Sequence, residues 1–226
     1  MTASCSFWRA RTGRVVVFYL ALLSLSPALA AEPAEPLETA MQAVEAGDYT
    51  TAARLYRPLA EAGNAEAQHN LAILYRTGRG VEKDLQQSRH WFLRAAEQGV
   101  ADAQYYLGYI YDNGEGVTAN PQYAFLWYRK AAEQGHPLAQ VNLGVMYAGG
   151  SGVAQDLEQA YIWFSLAAAQ GQGMAFRNRQ LLAEQFTEEQ RKALRARSRQ
   201  YFQKYVWPFQ QRGMMRGHPQ APEERP

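Results

Sequence analysis

The stretch NGEGVTANP, residues 113–121, admits two readings. As a Gly-x-Gly turn opening a helix, it would cradle a phosphate. As a corner between two helices, it would only redirect the chain. Its siblings decide the matter: TGRGVEKD (77–84) and GGSGVAQD (149–156) stand 36 residues to either side of NGEGVTAN (113–120). A dinucleotide or P-loop fingerprint follows a strand and occurs once. These three copies each follow an apolar pattern of helical period, so they are turns. The first glycine of each (Gly78, Gly114, Gly150) suits the left-handed position after a helix, where a Cβ is strained. The second (Gly80, Gly116, Gly152) tightens the corner, and Val81, Val117 and Val153 tuck beneath the neighbouring helices. Asp84, Asn120 and Asp156 then cap the next helix by accepting from its free N–H groups. Pro121 takes the first helical position, where a missing N–H costs nothing.

The same step of 36 runs through the chain, which marks a repeat array. It relates Gly63, Gly99, Gly135 and Gly171, then Ala67, Ala103, Ala139 and Ala175, then Leu71, Leu107 and Leu143. An aromatic-rich pair recurs as Leu55-Tyr56, Trp91-Phe92, Trp127-Tyr128 and Trp163-Phe164. Within one period two helices alternate. Helix A of the second unit spans about Leu85 to Gln98, with Ser88, Trp91, Phe92, Ala95 and Ala96 on one face. Helix B spans about Ala101 to Asn113, with Ala103, Leu107, Ile110 and Tyr111 inward. Gly108 and Gly144 share one column of helix B; a mid-helix glycine costs ~1 kcal/mol against alanine, so close helix approach is the expected compensation.

The fold class expected is therefore all-α: a solenoid of antiparallel helix pairs with a C-terminal capping helix. Its parts are a lead-in helix and linker (31–48), repeats at 49–84, 85–120 and 121–156, and a terminal repeat (157–186). A capping helix (187–207) opens on a Thr187-x-x-Gln190 box and carries Leu194, Ser198, Tyr201, Phe202 and Tyr205 as its apolar stripe. Pro208 is expected to end it, and 208–226 reads as a disordered tail. Pro58 lies inside helix A of the first unit, where it favours a kink.

The frame A-x-x-W-[YF]-x-x-A-A-x-x-G…A-x-x-x-L-G-x-x-[YM]-x-x-G-x-G-V resembles the Sel-one-like repeat family, a branch of the tetratricopeptide-like solenoids. The resemblance covers about residues 47–206. The fourth unit departs from it, with Arg179 in the leucine column and no Gly-x-Gly turn. The resemblance implies a binding scaffold with helices A lining the concave side. Cysteine-rich relatives described as penicillin-binding or β-lactam-degrading carry disulfides within each repeat. This chain lacks those cysteines, so that activity is not carried over.

The N-terminus reads as a secretory leader (1–30): Arg9, Arg11 and Arg14, then the apolar run 15–26, then SPALAAE with a cut after Ala30 or Ala31. The run is too short to span a bilayer. Cys5, the one cysteine, lies inside the leader. The mature chain is thus expected to have no thiol nucleophile, disulfide, Cys-ligated metal or lipid-anchor cysteine, and to work in the periplasm or outside a bacterial cell. The net charge of +2 hides an asymmetry: residues 31–176 carry 9 basic and 16 acidic residues, residues 177–226 carry 11 and 5. Nucleic acid is not an expected partner. The basic C-terminal region suits solubility, or contact with an acidic protein, a membrane surface or an anionic wall polymer.

His69, His90, His136 and His218 are not spaced as metal ligands, and no catalytic elbow or Ser-x-x-Lys occurs. No catalytic residue, cofactor or metal is expected. The expected function is a non-catalytic, monomeric adaptor that binds a protein or peptide of the cell envelope. The alternative is a peptidoglycan-binding module or hydrolase. On the face of helix A opposite the core stripe, Arg89, Phe125, Arg129 and Tyr161 are the expected anchors, since aromatics and arginines dominate interfaces. Asn70, Tyr106 and Asn142 of helices B are expected to add hydrogen bonds. A competing reading packs Phe125, Leu126 and Ile162 between neighbouring helices.

Overall fold

The structure, a computed structural model, describes residues 36–215, with side chains to residue 211. The leader, Cys5, the cleavage site, His218 and the last eleven residues lie outside them. Among the described residues there is no strand. The helices are α1 (Pro36–Glu45), α2 (Tyr49–Glu61), α3 (Ala65–Thr77), α4 (Leu85–Glu97), α5 (Ala101–Asn113), α6 (Pro121–Glu133), α7 (Pro137–Gly149), α8 (Leu157–Ala169), α9 (Gly173–Ala183), α10 (Glu188–Tyr205) and α11 (Trp207–Met215). None is long and apolar enough to cross a membrane. Helices A are α2, α4, α6 and α8, each 13 residues. Helices B are α3, α5, α7 and α9. α2 runs unbroken through Pro58.

Local chemistry sets each boundary. Asp84 accepts from the N–H groups of Gln86 and Gln87 at 2.9 and 3.0 Å. Asn120 accepts from Tyr123 at 3.1 Å, and Asp156 from Gln159 at 2.9 Å. Gly78, Gly114 and Gly150 end helices B with φ of 70°, 69° and 69°. The second turn glycines lie against the start of the helix A of their own unit. A Cβ on Gly80 would strike the Tyr49 carbonyl, one on Gly152 the Pro121 carbonyl, and one on Gly116 would stand 2.7 Å from Leu85 Cβ.

Packing between units follows from small residues meeting rings. A Cβ on Gly108 would lie 2.5 Å from Tyr128 Cδ1, and one on Gly144 would lie 2.7 Å from Phe164 Cδ1. Tyr128 and Phe164 are almost fully buried there, a burial worth ~1.5–3 kcal/mol for a side chain of that size. The buried face of α4 is Ser88, Trp91, Phe92, Ala95 and Ala96. That of α5 is Ala103, Gln104, Leu107, Gly108 and Ile110, with Tyr111 only half-buried.

Buried glutamines stitch the units together. Gln68, Gln104 and Gln140 donate to the carbonyls of Ala60, Ala96 and Ala132 at 2.9, 3.0 and 3.1 Å. Their side-chain oxygens accept from Gln98, Gln134 and Gln170, the C-cap residues of the following helices A, at 2.7, 2.7 and 2.8 Å. Every buried amide is thereby paired in both senses, as burial of a polar group requires.

At the C-terminal end α10 turns back over α8. The Trp163 ring lies 5.7 and 5.6 Å from those of Tyr201 and Tyr205. Arg197 pairs with Glu158 at 2.6 Å. Leu194 and Val206 are buried, as are Ile162 and Leu166 of α8. Thr187 and Gln190 form a reciprocal capping box at the start of α10. Pro208 does not finish the ordered chain. It occupies the second position of α11, where proline is tolerated, so residues 208–215 are helical and not a tail.

Candidate interaction surface

The structure sorts the seven anchors expected from the sequence into two groups. Phe125 and Tyr161 are buried, at 8% and 5% exposure, and do not present a free face. Phe125 meets Tyr147 edge-on at 5.4 Å, and Tyr161 meets Phe186 edge-on at 6.0 Å. Each ring fills the seam between helix A and the chain on its C-terminal side, where a large apolar side chain is worth more buried than wet. Ile162 is likewise buried, whereas Leu126 is 44% exposed.

The helix B residues answer the helix A rings. Asn70 donates to the Tyr56 hydroxyl at 3.2 Å. Asn142 bonds the Tyr128 hydroxyl, which burial first and Asp112 second push far above the ordinary tyrosine range. Where helix A carries Phe92, the helix B residue is Tyr106, stacked on that ring at 4.8 Å and 18°. Asn70, Tyr106 and Asn142 therefore serve the core: a hydroxyl is met by an amide, a bare ring by a ring.

Arg129 is exposed, whereas Arg89 is half-buried. The Arg89 Nη2 donates to Gln86 at 3.1 Å, and its buried Nε has no partner. Arg129 stands over the Phe125 ring at 5.8 Å and 3.8 Å from Glu133. Around them the structure gathers residues that the sequence reading passed over. Arg94 lies over Trp91 at 5.4 Å, and Lys130 over Trp127 at 4.2 Å, one unit apart. Arg57 lies over Tyr75 at 5.9 Å and donates to its hydroxyl at 2.9 Å. The signal was present as a Trp followed three positions on by a cation, at 91/94 and 127/130, which puts both on one helix face. Of the 9 cations in residues 31–176, Arg54, Arg57, Arg89, Arg94, Arg129 and Lys130 lie on α2, α4 and α6. A section of chain with excess acid thus concentrates its positive charge on helices A, interleaved with Trp127 and Leu126. Such a face can hold carboxylates while seating apolar side chains.

A second cluster joins helices B. His136 caps α7 by accepting from the Ala139 N–H through Nδ1 at 3.1 Å. Its Nε2 faces Asp102 at 3.1 Å, and Tyr105 stacks on its ring at 4.6 Å. The hydrogen bond from His136 holds the Asp102 carboxyl below its usual range. His69 is nearby, between the rings of Phe92 and Tyr106 at 5.6 and 5.9 Å. Burial lowers its pKa. Among the described residues no group of three or more His, Cys, Asp or Glu is arranged to hold a metal ion. The cluster fastens one unit to the next.

Comparisons with known proteins agree with this architecture. A crystal structure of a Sel1 repeat protein from Oxalobacter formigenes is similar at 35% identity with a TM-score of 0.62, over 64% of this chain and 60% of that one. A protective antigen of uropathogenic Escherichia coli displaying an SLR fold is similar at 29% identity with a TM-score of 0.51, over 84% of this chain. This chain spans 60% and 50% of the length of those two relatives. No match is found among curated proteins. The profile of the Sel1 repeat matches four consecutive segments, residues 42–64, 65–100, 101–136 and 137–172. With more than half of its length in these units, the chain belongs to the Sel1 repeat family.

Proposed function

We propose that the protein is a non-catalytic adaptor of the bacterial cell envelope that binds an acidic protein or peptide segment along the outward face of α2, α4 and α6. Sel1 repeat proteins generally mediate protein–protein interaction as scaffolds and are generally not catalysts. One observation carries the finer reading: most cations of an otherwise acidic stretch lie on helices A, with Arg94 and Lys130 each over a tryptophan one unit apart. The leader-like N-terminus supports export to the periplasm, and residues 31–226 hold no cysteine that could form a disulfide between copies.

The test is crosslinking in living cells followed by mass spectrometry, with wild type compared to an Arg94→Glu, Lys130→Glu variant. With Trp91 buried and Arg94 half-buried, the two cation–π contacts contribute about 0.5–2 kcal/mol each, so the variant should still fold and lose its protein partners. Unchanged partner recovery removes helices A as the binding face. Exposed Tyr123 and half-buried Trp127 also offer stacking surfaces for sugar rings. Capture of muropeptides in place of proteins would favour an envelope-polymer module.

A further inference from the structure

The second and third gaps between helix pairs close in one way: a ring from the next helix A seats on a glycine of helix B, Tyr128 on Gly108 and Phe164 on Gly144; the first gap has Ala72 in that column. One period further, the glycine column holds Gln180, and the next helix does not take the regular place. α10 crosses α8 and leaves a cleft of about 420 Å³ between α8, α9 and α10. Leu166, Ala169, Ala183 and Phe202 give it an apolar floor. Arg179, Arg191, Arg195 and Arg199 also line it, and no acidic residue does.

The four arginines are not equivalent. Arg191 and Arg195 are held by Glu188 at 2.9 and 2.8 Å, and Arg191 also donates to the Ala183 carbonyl at 3.3 Å. They build the wall. Arg179 stands 5.2 Å over the Phe176 ring. Arg199 is exposed and makes no ion pair among the described residues. Between them lies Ser198, 8% exposed, whose buried Oγ has no hydrogen-bond partner. An unpaired buried hydroxyl is costly, so a group that enters the cleft and bonds this one gains stability from it. Charge and polarity together specify that group: an apolar body with anionic oxygen at its edge.

We propose that this cleft is a docking site for a short acidic segment of a protein partner, in which one large apolar side chain is flanked by carboxylates. The apolar side chain rests on Leu166 and Phe202. One carboxylate meets Arg179 and Arg199 and accepts from the Ser198 hydroxyl. The volume suits a few residues and not a helix. The site does not depend on the helix A face, since Arg179 and Arg199 are not part of that face.

The test is fluorescence anisotropy on the purified protein with a rhodamine-labelled probe, Ac-Ser-Glu-Glu-Phe-Glu-Glu-Ser-amide. The expected result is saturable binding that weakens at least tenfold in an Arg179→Glu, Arg199→Glu variant with an unchanged melting temperature. Ser198→Ala, which removes only the hydroxyl, should weaken binding severalfold, and Arg94→Glu with Lys130→Glu should leave it within twofold. The proposal is overturned by no binding, by equal binding of a probe with lysine in place of each glutamate, or by an unaffected affinity in the arginine variant. Tighter binding of laurate than of the peptide also overturns it, in favour of a fatty acid.

Discussion

Gln134 reaches back thirty residues to Gln104: its side-chain amide donates to the Gln104 oxygen at 2.7 Å while Gln104 donates to the Ala96 carbonyl at 3.0 Å. Gln104 is only 5% exposed, so neither bond has water as a ready substitute. Gln104→Leu should therefore destabilise the fold by about 1–3 kcal/mol, because it removes two inter-helix bonds and leaves the Gln134 amide without its acceptor, although the Ala96 carbonyl keeps the Gly99 N–H at 3.0 Å. Urea unfolding measures it, and an unchanged midpoint would show that the glutamine pair adds nothing to stability.

Gly108→Ala tests two opposed effects. Alanine gains ~1 kcal/mol of helix propensity, but its Cβ would stand 2.5 Å from a ring carbon of buried Tyr128. Overpacking of that kind costs ~1–3 kcal/mol, so the variant should be less stable than wild type. Gly108→Leu should be worse still. Adding Tyr128→Leu should recover part of the loss, because neighbouring substitutions do not add. A Gly108→Ala variant that melts higher than wild type would contradict the packing described.

His69 predicts a pH dependence. Its folded pKa lies below its ordinary value because burial disfavours the charged ring. As pH falls through about 6.5, the unfolded chain takes up a proton that the folded one resists, so stability is lost toward acid. Asp102, also lowered, acts in the same direction but at lower pH. Melting temperatures at pH 5, 6, 7 and 8 should fall toward pH 5 in wild type, and less steeply in His69→Phe. Parallel curves would assign the effect to another group.

A chain ending at Phe186 should aggregate. It lacks α10, which covers Ile162, Trp163 and Leu166 of α8. Exposed apolar surface on the last unit of a repeat array is what a terminal cap prevents. Size-exclusion chromatography reads the outcome, and a monodisperse product of equal stability would remove the capping role of α10.

The turns and helix pairs were legible because they depend on local chemistry repeated at a fixed step. Gly78, Asp84 and Asn120 each act within a few residues of their own position. The all-α solenoid followed from that step alone. The placement of Phe125 and Tyr161 was not legible. Their burial depends on Tyr147 and Phe186, each more than twenty residues away, and a helical face alone cannot tell a seam from a groove. The glutamine pairs were visible as columns, yet a polar residue at helical spacing reads as solvent-facing unless its partner is known. The path of α10 over α8 depended on Trp163 meeting Tyr201 and Tyr205, a contact without any sibling in the array.

Gly80, Gly116 and Gly152 each touch the residue that opens their own unit, 31 positions earlier: Tyr49, Leu85 and Pro121. The first three units are thus each clasped end to end before they meet their neighbours. Under tension applied at the two ends of the chain, such links surrender one by one. An optical-trap record should show discrete extensions, each close to the contour length of 36 residues, about 120–130 Å. The rest of the chain would stay folded between steps, and a bound partner spanning two units would appear as one merged extension of twice that length.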